Sequence, residues 1–296
     1  MNQYQKINTL YKRFMKLGDC PNPKWKMWQN KIIMGCFTDP TVKYLKDCLW
    51  EGFSKIDGTN SKICYFPSTG KLLVGGKTDK ASSQHGQFEM LQEIGDKIKP
   101  ELEKMFSKDG AKFAPVKNKE TNKIQYWDKE LYDVVEPNGN DFFGVELEEA
   151  PVYIYGEYYG QGIQKCGGRY HDHNDFRVFD IDAQGWWVPS DIRNAWCKQL
   201  GLKTVPFIGI RTIPEFEKMV MDGFTTLVDG VKDPTLIEEG IVARPVIPIK
   251  DARGNRIIVK IKYCDYKEWA ETRKQFTDEE YNEFLEWYKN NIEPLD

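Results

Sequence analysis

The chain has 296 residues, 40% of them hydrophobic and 29% charged, with a formal net charge of −3. That is enough apolar material for one large domain or a domain with an appendage, and it excludes a disordered chain and a globally basic nucleic-acid binder. No run of about 18 apolar residues occurs, so no membrane span is expected, and the opening MNQYQKINTLYKR lacks an apolar signal region, so secretion is not expected.

Taken in chain order, Tyr4, Ile7, Leu10, Tyr11 and Phe14 recur at helical spacing and predict a helix over 4–17. A loop rich in Pro, Asn and Lys follows around Cys20 to Lys26. SKICYFP and KLLVGG flank STG and read as a hairpin. Gly86 to Phe106 reads as two helical pieces, with Pro100 opening the second. Lys108 to Asn140 is polar and turn-rich, with one short strand at Leu131 to Val135. VYIYGEYYG and DFRVFDI alternate as strands around a glycine-rich link, Gly160 to Gly168, and GWWVPS reads as another strand. Ser190 is placed to cap a helix that stops at Gly201, and Pro214 opens the next. EEGIVARPV and RIIVKIKY are the last strands, and Thr277 with Glu280 forms a capping box for a terminal helix. This mixed order is not a regular βαβ alternation.

Seven cysteines fall at irregular spacing without a CxxC pair, which predicts reduced thiols in a cytoplasm-like compartment rather than a disulfide framework. GKLLVGGKT is a poor P-loop, because five residues rather than four separate Gly70 from Gly76 and LLV is a strand pattern. YGQGIQK carries Lys165 where a dinucleotide fingerprint needs its third glycine. Cys166, His171 and His173 fit no closed zinc set, and a polar loop is the simpler reading. Between Arg244 and Lys274 basic residues outnumber acidic ones, a local patch that is equally a solvated surface until something else points there.

The chemistry gathers on SKIDGTNSK. An ordinary lysine has a pKa near 10.4, and it becomes a nucleophile when desolvated or set among other cations. In IIVKIKY, period two puts Lys260 and Lys262 on one face of a strand and Val259, Ile261 and Tyr263 on the other. Two lysines on one face of an apolar strand suit a polyphosphate, the group Lys55 would attack. Glu157, inside VYIYGEYYG, and Glu239, before an apolar strand, are carboxylates in settings where Glu is depleted. Either could accept a ribose hydroxyl or hold hydrated Mg²⁺. Phe179 could stack on a base. Singly, each has an ordinary reading as edge-strand Glu, core Phe or surface Lys; the joint occurrence changes the balance.

Lys55-Ile56-Asp57-Gly58-Thr59-Asn60 resembles motif I, KxDGxx, of the covalent nucleotidyltransferase superfamily, which holds DNA ligases, RNA ligases and mRNA capping enzymes. GEYYG resembles its motif III, VFDI motif IIIa, EGIVARP motif IV and IVKIK motif V, in the family's order. The best match is the phage-type, RNA-ligase-2-like branch of ATP-dependent RNA ligases. Asn60 stands where DNA ligases and capping enzymes carry Arg, and VGGKTDKA is similar to that branch's GGRTDNA, with Lys77 in place of an arginine.

The resemblance implies an α+β nucleotidyltransferase fold of antiparallel sheets with flanking helices and a nucleotide cleft between them. It implies an adenylyltransferase domain over 1–267; the largest departure is length, since only 34 residues follow Lys262, and a short helical extension over 268–296 rather than an OB domain is expected there. Lys55 would form a lysyl-AMP with ATP, pass AMP to an RNA 5′-phosphate, and a 3′-hydroxyl would then seal the break. Glu157 would bind the ribose, Phe179 stack on adenine, Glu239 support Mg²⁺ or Mn²⁺ with Glu157 as a second acidic candidate, and Lys260 and Lys262 neutralise phosphates. Asp57, Gly58, Asn60 and Lys77 complete the nucleotide set. RNA ends, at a duplex nick or a break, would be the partner, with no membrane and a cytoplasmic setting. The pattern departs at Ser54, where many RNA ligases have Glu, and at Lys77, which lacks the bidentate fork of Arg. A DNA ligase or capping enzyme on the same core is the nearest alternative, and a silent nucleic-acid-binding module is the alternative from another class.

Overall fold

In the computed structural model the described residues are 3–15, 20–67, 69–77, 86–106, 151–183 and 185–292, together with the backbones of Phe113–Lys117, Ile124–Asp128 and Asp133–Val135. The chain divides into two compact units, one built on Asp57–Val205 together with Tyr4, the other on Gln5–Ile56 and the chain from Pro206 on. The fold is α+β, with antiparallel sheets and flanking helices.

The 57–205 unit holds a six-stranded sheet. Trp186–Trp187, Asn174–Ala183, Val152–Gly160, Thr59–Phe66 and Lys71–Gly76 run antiparallel in that order, and Lys203–Thr204 joins parallel to Asn174–Ala183. Alternation sends Ile63, Tyr65, Val152, Ile154, Val178 and Ile181 to one face. There Leu91, Ile98 and Leu102 of the helix Gln87–Phe106 and Leu200 of the helix Ser190–Leu200 cover them. A one-residue slip would turn that set away from its helices, at roughly 1.5–3 kcal/mol per side chain, so burial pins the register. Between Tyr155 and Gly156 the register shifts: Tyr155 pairs with Asp180 but Gly156 with Val178, leaving Phe179 as the extra residue of a β-bulge.

The second unit holds a five-stranded sheet in the order Asn8–Thr9, Val259–Lys262, Gly240–Pro245, Trp50–Ser54 and Phe207–Arg211, antiparallel except at its first pair. Trp50, Ile241, Ala243, Val259 and Ile261 form its buried face under Phe216 and Val220 of the helix Ile213–Asp222 and Tyr266 of the helix Tyr263–Arg273. A separate aromatic core joins Phe14, Trp25 and Trp28 to Phe276, Tyr281, Phe284 and Tyr288, the last three on the final helix Asp278–Asn291. In it the Trp28 and Phe284 rings stack at 5.4 Å.

Several expectations change. Over its described residues, 4–15, the stretch expected as a helix is not one: Asn8–Thr9 and Tyr11–Arg13 are strands, and its apolar residues serve separate cores; residues 16 and 17 lie outside the described residues. Leu10 and Tyr11 pack in the sheet core and Phe14 in the aromatic one, so helical spacing arose from residues with different partners. Gln87–Phe106 is one helix rather than two pieces, because Pro100 sits on its exposed side while Leu91, Ile98 and Leu102 keep a continuous buried ridge across it. In the 108–140 stretch, Phe113–Lys117 and Ile124–Asp128 are strands beside Asp133–Val135, where only the last was expected. Ser190 is the first residue of its helix rather than its cap, and Gly201 ends that helix as expected. The Lys71–Gly76 hairpin, the Pro214 start and both bonds of the Thr277–Glu280 capping box are as read from the residues.

Candidate active site

The boundary between the units falls inside motif I, between Ile56 and Asp57. Lys55, Glu239, Lys260 and Lys262 belong to the sheet unit containing the chain from Pro206 on; Asp57, Gly58, Asn60, Lys77, Glu157 and Phe179 belong to the other.

In the first group the paired strands do the positioning. Trp50–Ser54 runs beside Gly240–Pro245, which runs beside Val259–Lys262, and Gly240 lies opposite Lys262. A side chain at Gly240 would stand 2.0 Å from the Ile261 carbonyl oxygen, so only glycine lets these strands close beside Glu239. The Lys55 backbone N–H donates to the Gly240 carbonyl at 3.0 Å, and its Nζ donates to Glu239 Oε2 at 2.6 Å. Lys262 Nζ stands 2.9 Å from Glu239 Oε1. One carboxylate is thus held by two ammoniums, all three side chains less than a third exposed. Burial opposes the charge on Lys262, but Glu239 outweighs it by charge and hydrogen bond, so its pKa is raised and it stays cationic. Val259 and Ile261 are buried while Lys260 and Lys262 are half-buried, the two-faced pattern expected of IVKIK. The strand ends at Lys262, however, and Tyr263 begins a helix rather than continuing the alternation.

In the other group Asn60 lies directly opposite Glu157 across the Thr59–Phe66 and Val152–Gly160 pair, on the face away from the helices. Asn60 Oδ1 and Thr59 Oγ1 are buried with no hydrogen-bond partner, a site with unspent polar capacity. A Cβ at Gly58 would meet the Tyr158 carbonyl oxygen at 2.5 Å and Glu157 Cγ at 2.8 Å, so the glycine lets motif I press against the motif III strand. The Asp57 backbone N–H donates to the Tyr170 hydroxyl at 3.2 Å. Phe179 is half-buried on its bulge, edge-on to Tyr4 at 5.0 Å, and stands outside the hydrophobic core that takes Phe176 and Val178. Lys77, just past its strand, is exposed.

Three features went unread in the sequence. Glu238 is buried, and its Oε2 accepts from Ser54 Oγ at 3.0 Å and Thr226 Oγ1 at 3.0 Å; burial pushes its carboxyl up to about 7. The doubled Glu before a strand was the available signal, since period two sends neighbouring side chains to opposite sides. Arg244 pairs with Glu51 at 3.2 Å and covers the Phe53 ring at 5.2 Å. Lys62 is fully buried two residues beyond Asn60 on the same strand face. Arg244 lies near the end of EGIVARP and Lys62 at the end of SKIDGTNSK, but neither stretch signals the contact each makes.

Among the described residues no group of three or more His, Cys, Asp or Glu side chains is placed to hold a metal ion. A divalent cation here would take Glu239 and complete its shell with water and phosphate, which is how Mg²⁺ is commonly held beside nucleotides.

A family model described as RNA ligase matches residues 50–262. No curated protein matches the sequence. Among solved structures, a lysine-to-alanine mutant of Naegleria gruberi RNA ligase with ATP and Mn is similar at 16% identity and a TM-score of 0.46, over 79% of this chain and 54% of that one. A lysine-to-methionine mutant of the same enzyme with AMP and Mn is similar at 15% identity and a TM-score of 0.47, over 79% and 55%. The chain thus spans about half the length of the solved structures it matches.

Proposed function

The chain belongs to the RNA ligase family, and from that premise we propose that it is an ATP-dependent RNA ligase working through a covalent lysyl-AMP. The observation that carries the reading is the pairing of Lys55 and Lys262 through one carboxylate, Glu239. An ammonium pair closed on a carboxylate is an anion site filled by the protein's own anion, and a phosphate offers both ammoniums the same geometry. The unsatisfied Asn60 Oδ1 opposite Glu157 supports a polar ligand on the other unit's sheet face.

In this reading the Lys55 ammonium gives up one proton to solvent, and its neutral Nζ attacks the α-phosphorus of ATP. The N–P bond forms, the bond to the bridging oxygen breaks, and pyrophosphate leaves. Lys260 and Lys262 neutralise charge on the phosphates, Glu157 receives the ribose hydroxyl and Phe179 stacks on adenine. Asp57, Gly58, Asn60 and Lys77 shape the nucleotide's surroundings. A divalent cation, held by Glu239 with Glu157 as a further acidic candidate, would supply charge neutralisation on the phosphates. AMP then passes from Lys55 to an RNA 5′-phosphate, and a 3′-hydroxyl displaces AMP to close the phosphodiester. Catalysis of this kind rests on positioning and charge rather than on an acid–base dyad.

We assign the chain to the RNA-ligase-2-like branch on Asn60, and the repair of RNA nicks or breaks in a cytoplasm as its setting. Residues 1–267 would carry the adenylyltransferase, with 268–296 as a helical extension. Incubation with labelled ATP or GTP, followed by sealing assays on nicked duplexes with RNA or DNA on each side of the break, tests the assignment. ATP alone should label the chain, and sealing should require RNA. Labelling by GTP would make it a capping-type enzyme, and indifference to RNA a DNA ligase.

A further inference from the structure

The regular pairing of the Lys55 and Glu239 strands stops where these two residues begin. Ser54 lies opposite Ile241, the Lys55 N–H reaches the Gly240 carbonyl, and past this rung no ladder bond fixes the Glu239 side of the pair to the Lys55 side. A side-chain clasp sits at that place. Glu238 is 1% exposed, and its Oε2 takes the Ser54 hydroxyl at 3.0 Å, the Thr226 hydroxyl at 3.0 Å and the Leu227 N–H at 3.4 Å. Ser54, itself 3% exposed, directly precedes the lysine, and Glu238 directly precedes the carboxylate that the lysine meets. All three of these bonds fall on Oε2, so that one oxygen carries the clasp, and Oε1 is a buried polar atom left unpaired.

We propose that Glu238 is a positioning residue for lysine adenylylation: through Ser54 and the Thr226–Leu227 backbone it sets the approach of Lys55 to Glu239 and to the phosphate that replaces Glu239. It touches no substrate. The serine before the nucleophile, where the sequence departs from the family pattern, is then half of a Ser–Glu unit whose carboxyl comes from the segment leading into the neighbouring strand Gly240–Pro245. The inference rests on the adenylylation of Lys55 proposed above.

Reach, rather than charge, is what the clasp requires. Glu238→Gln keeps the length and an acceptor oxygen; Glu238→Asp keeps the carboxyl but withdraws it by one methylene. The test is single-turnover formation of the AMP adduct by the full-length protein, over a range of ATP concentrations, beside its melting temperature. We expect Glu238→Asp and Ser54→Ala to slow the adduct at saturating ATP by about tenfold or more, because small misplacements of a nucleophile carry large rate penalties. The ATP concentration at half-maximal rate should move less than about threefold, and Glu238→Gln should stay within about threefold of the parent rate. Ser54→Ala removes one hydroxyl and keeps the strand, so it reports even where a Glu238 variant fails to fold. Parent-like rates in both Ser54→Ala and Glu238→Asp would overturn the proposal. So would a loss that tracks melting temperature alone, or a Glu238→Gln as slow as Glu238→Asp. Absence of adduct from the unmutated protein with any nucleotide would instead overturn the ligase reading.

Discussion

The two sheets that carry the motif residues are built alike and finished differently. Each buries one face under helices and leaves the other polar. The polar face of the sheet with Lys55 carries ion pairs: Lys55 and Lys262 on Glu239, and Arg244 on Glu51 over the Phe53 ring. The corresponding face of the 57–205 sheet mixes rings with polar and charged groups: Tyr153 and Tyr155 stacked at 5.7 Å, Phe179 raised on a bulge, Asn60 opposite Glu157, and the buried Lys62, Asp180 and Asp182. A sheet face of paired charges suits phosphates, which are bound by charge at fixed distance. A face of rings and amides suits a base and a sugar, which are bound by area and directed hydrogen bonds. Under the proposed function, two similar sheets finished with different side chains would divide the nucleotide between them, phosphates to the ion-paired face and base and sugar to the face with the rings.

The comparison breaks most sharply at Lys55. Lys55→Ala should cut formation of the AMP adduct by at least about a thousandfold, because no other amine takes over the bond; labelled ATP and a denaturing gel read this, and an undiminished adduct would move the chemistry elsewhere. Lys262→Ala should slow the adduct by about a hundredfold, the scale of losing one preorganised charge at a reacting group, and Lys260→Ala similarly. Rapid-quench rates check both, and near-parent rates would remove their phosphate roles.

On the aromatic side the expected signature is opposite in kind. Phe179→Ala should weaken ATP by about 5–150-fold, since a base stacked on a ring gains roughly 1–3 kcal/mol, while the saturated rate stays within about threefold. A fall in the saturated rate with unchanged ATP affinity would erase the proposed division between the faces. The smallest effect is on stability against pH. The Glu238 carboxyl is raised from its ordinary 4.5 to about 7 by burial, so the folded state prefers it protonated. Its contribution is full below about 4.5 and declines as pH rises to about 7. Melting curves across that window should show the decline, and Glu238→Gln should flatten it.

Motifs were legible where a residue's neighbours in sequence are also its neighbours in space. The alternation in IVKIK, the hairpin from Thr59 to Gly76 and the capping box at Thr277 are local, and period and propensity suffice for them. The 4–17 stretch misled because its apolar residues answer to different cores, so helical spacing carried no single partner. Pro100 misled because a proline on an exposed helix side leaves the buried ridge intact, which is a fact about packing.

The sequence by itself determined the α+β class, the strands that carry motifs III to V, the order of the five motifs and the family. Each of these lies in residue type and spacing. Trp50–Ser54 and Phe207–Arg211, two strands of the sheet beside Lys55, were not read. Only the tertiary structure decided that Lys55 and Lys262 meet on one carboxylate, that Phe179 is lifted by a bulge, and that Glu238 closes on Ser54 from 184 residues away. Strand register and burial settle those contacts, and both depend on which distant segments pair, information that no short window of the chain contains.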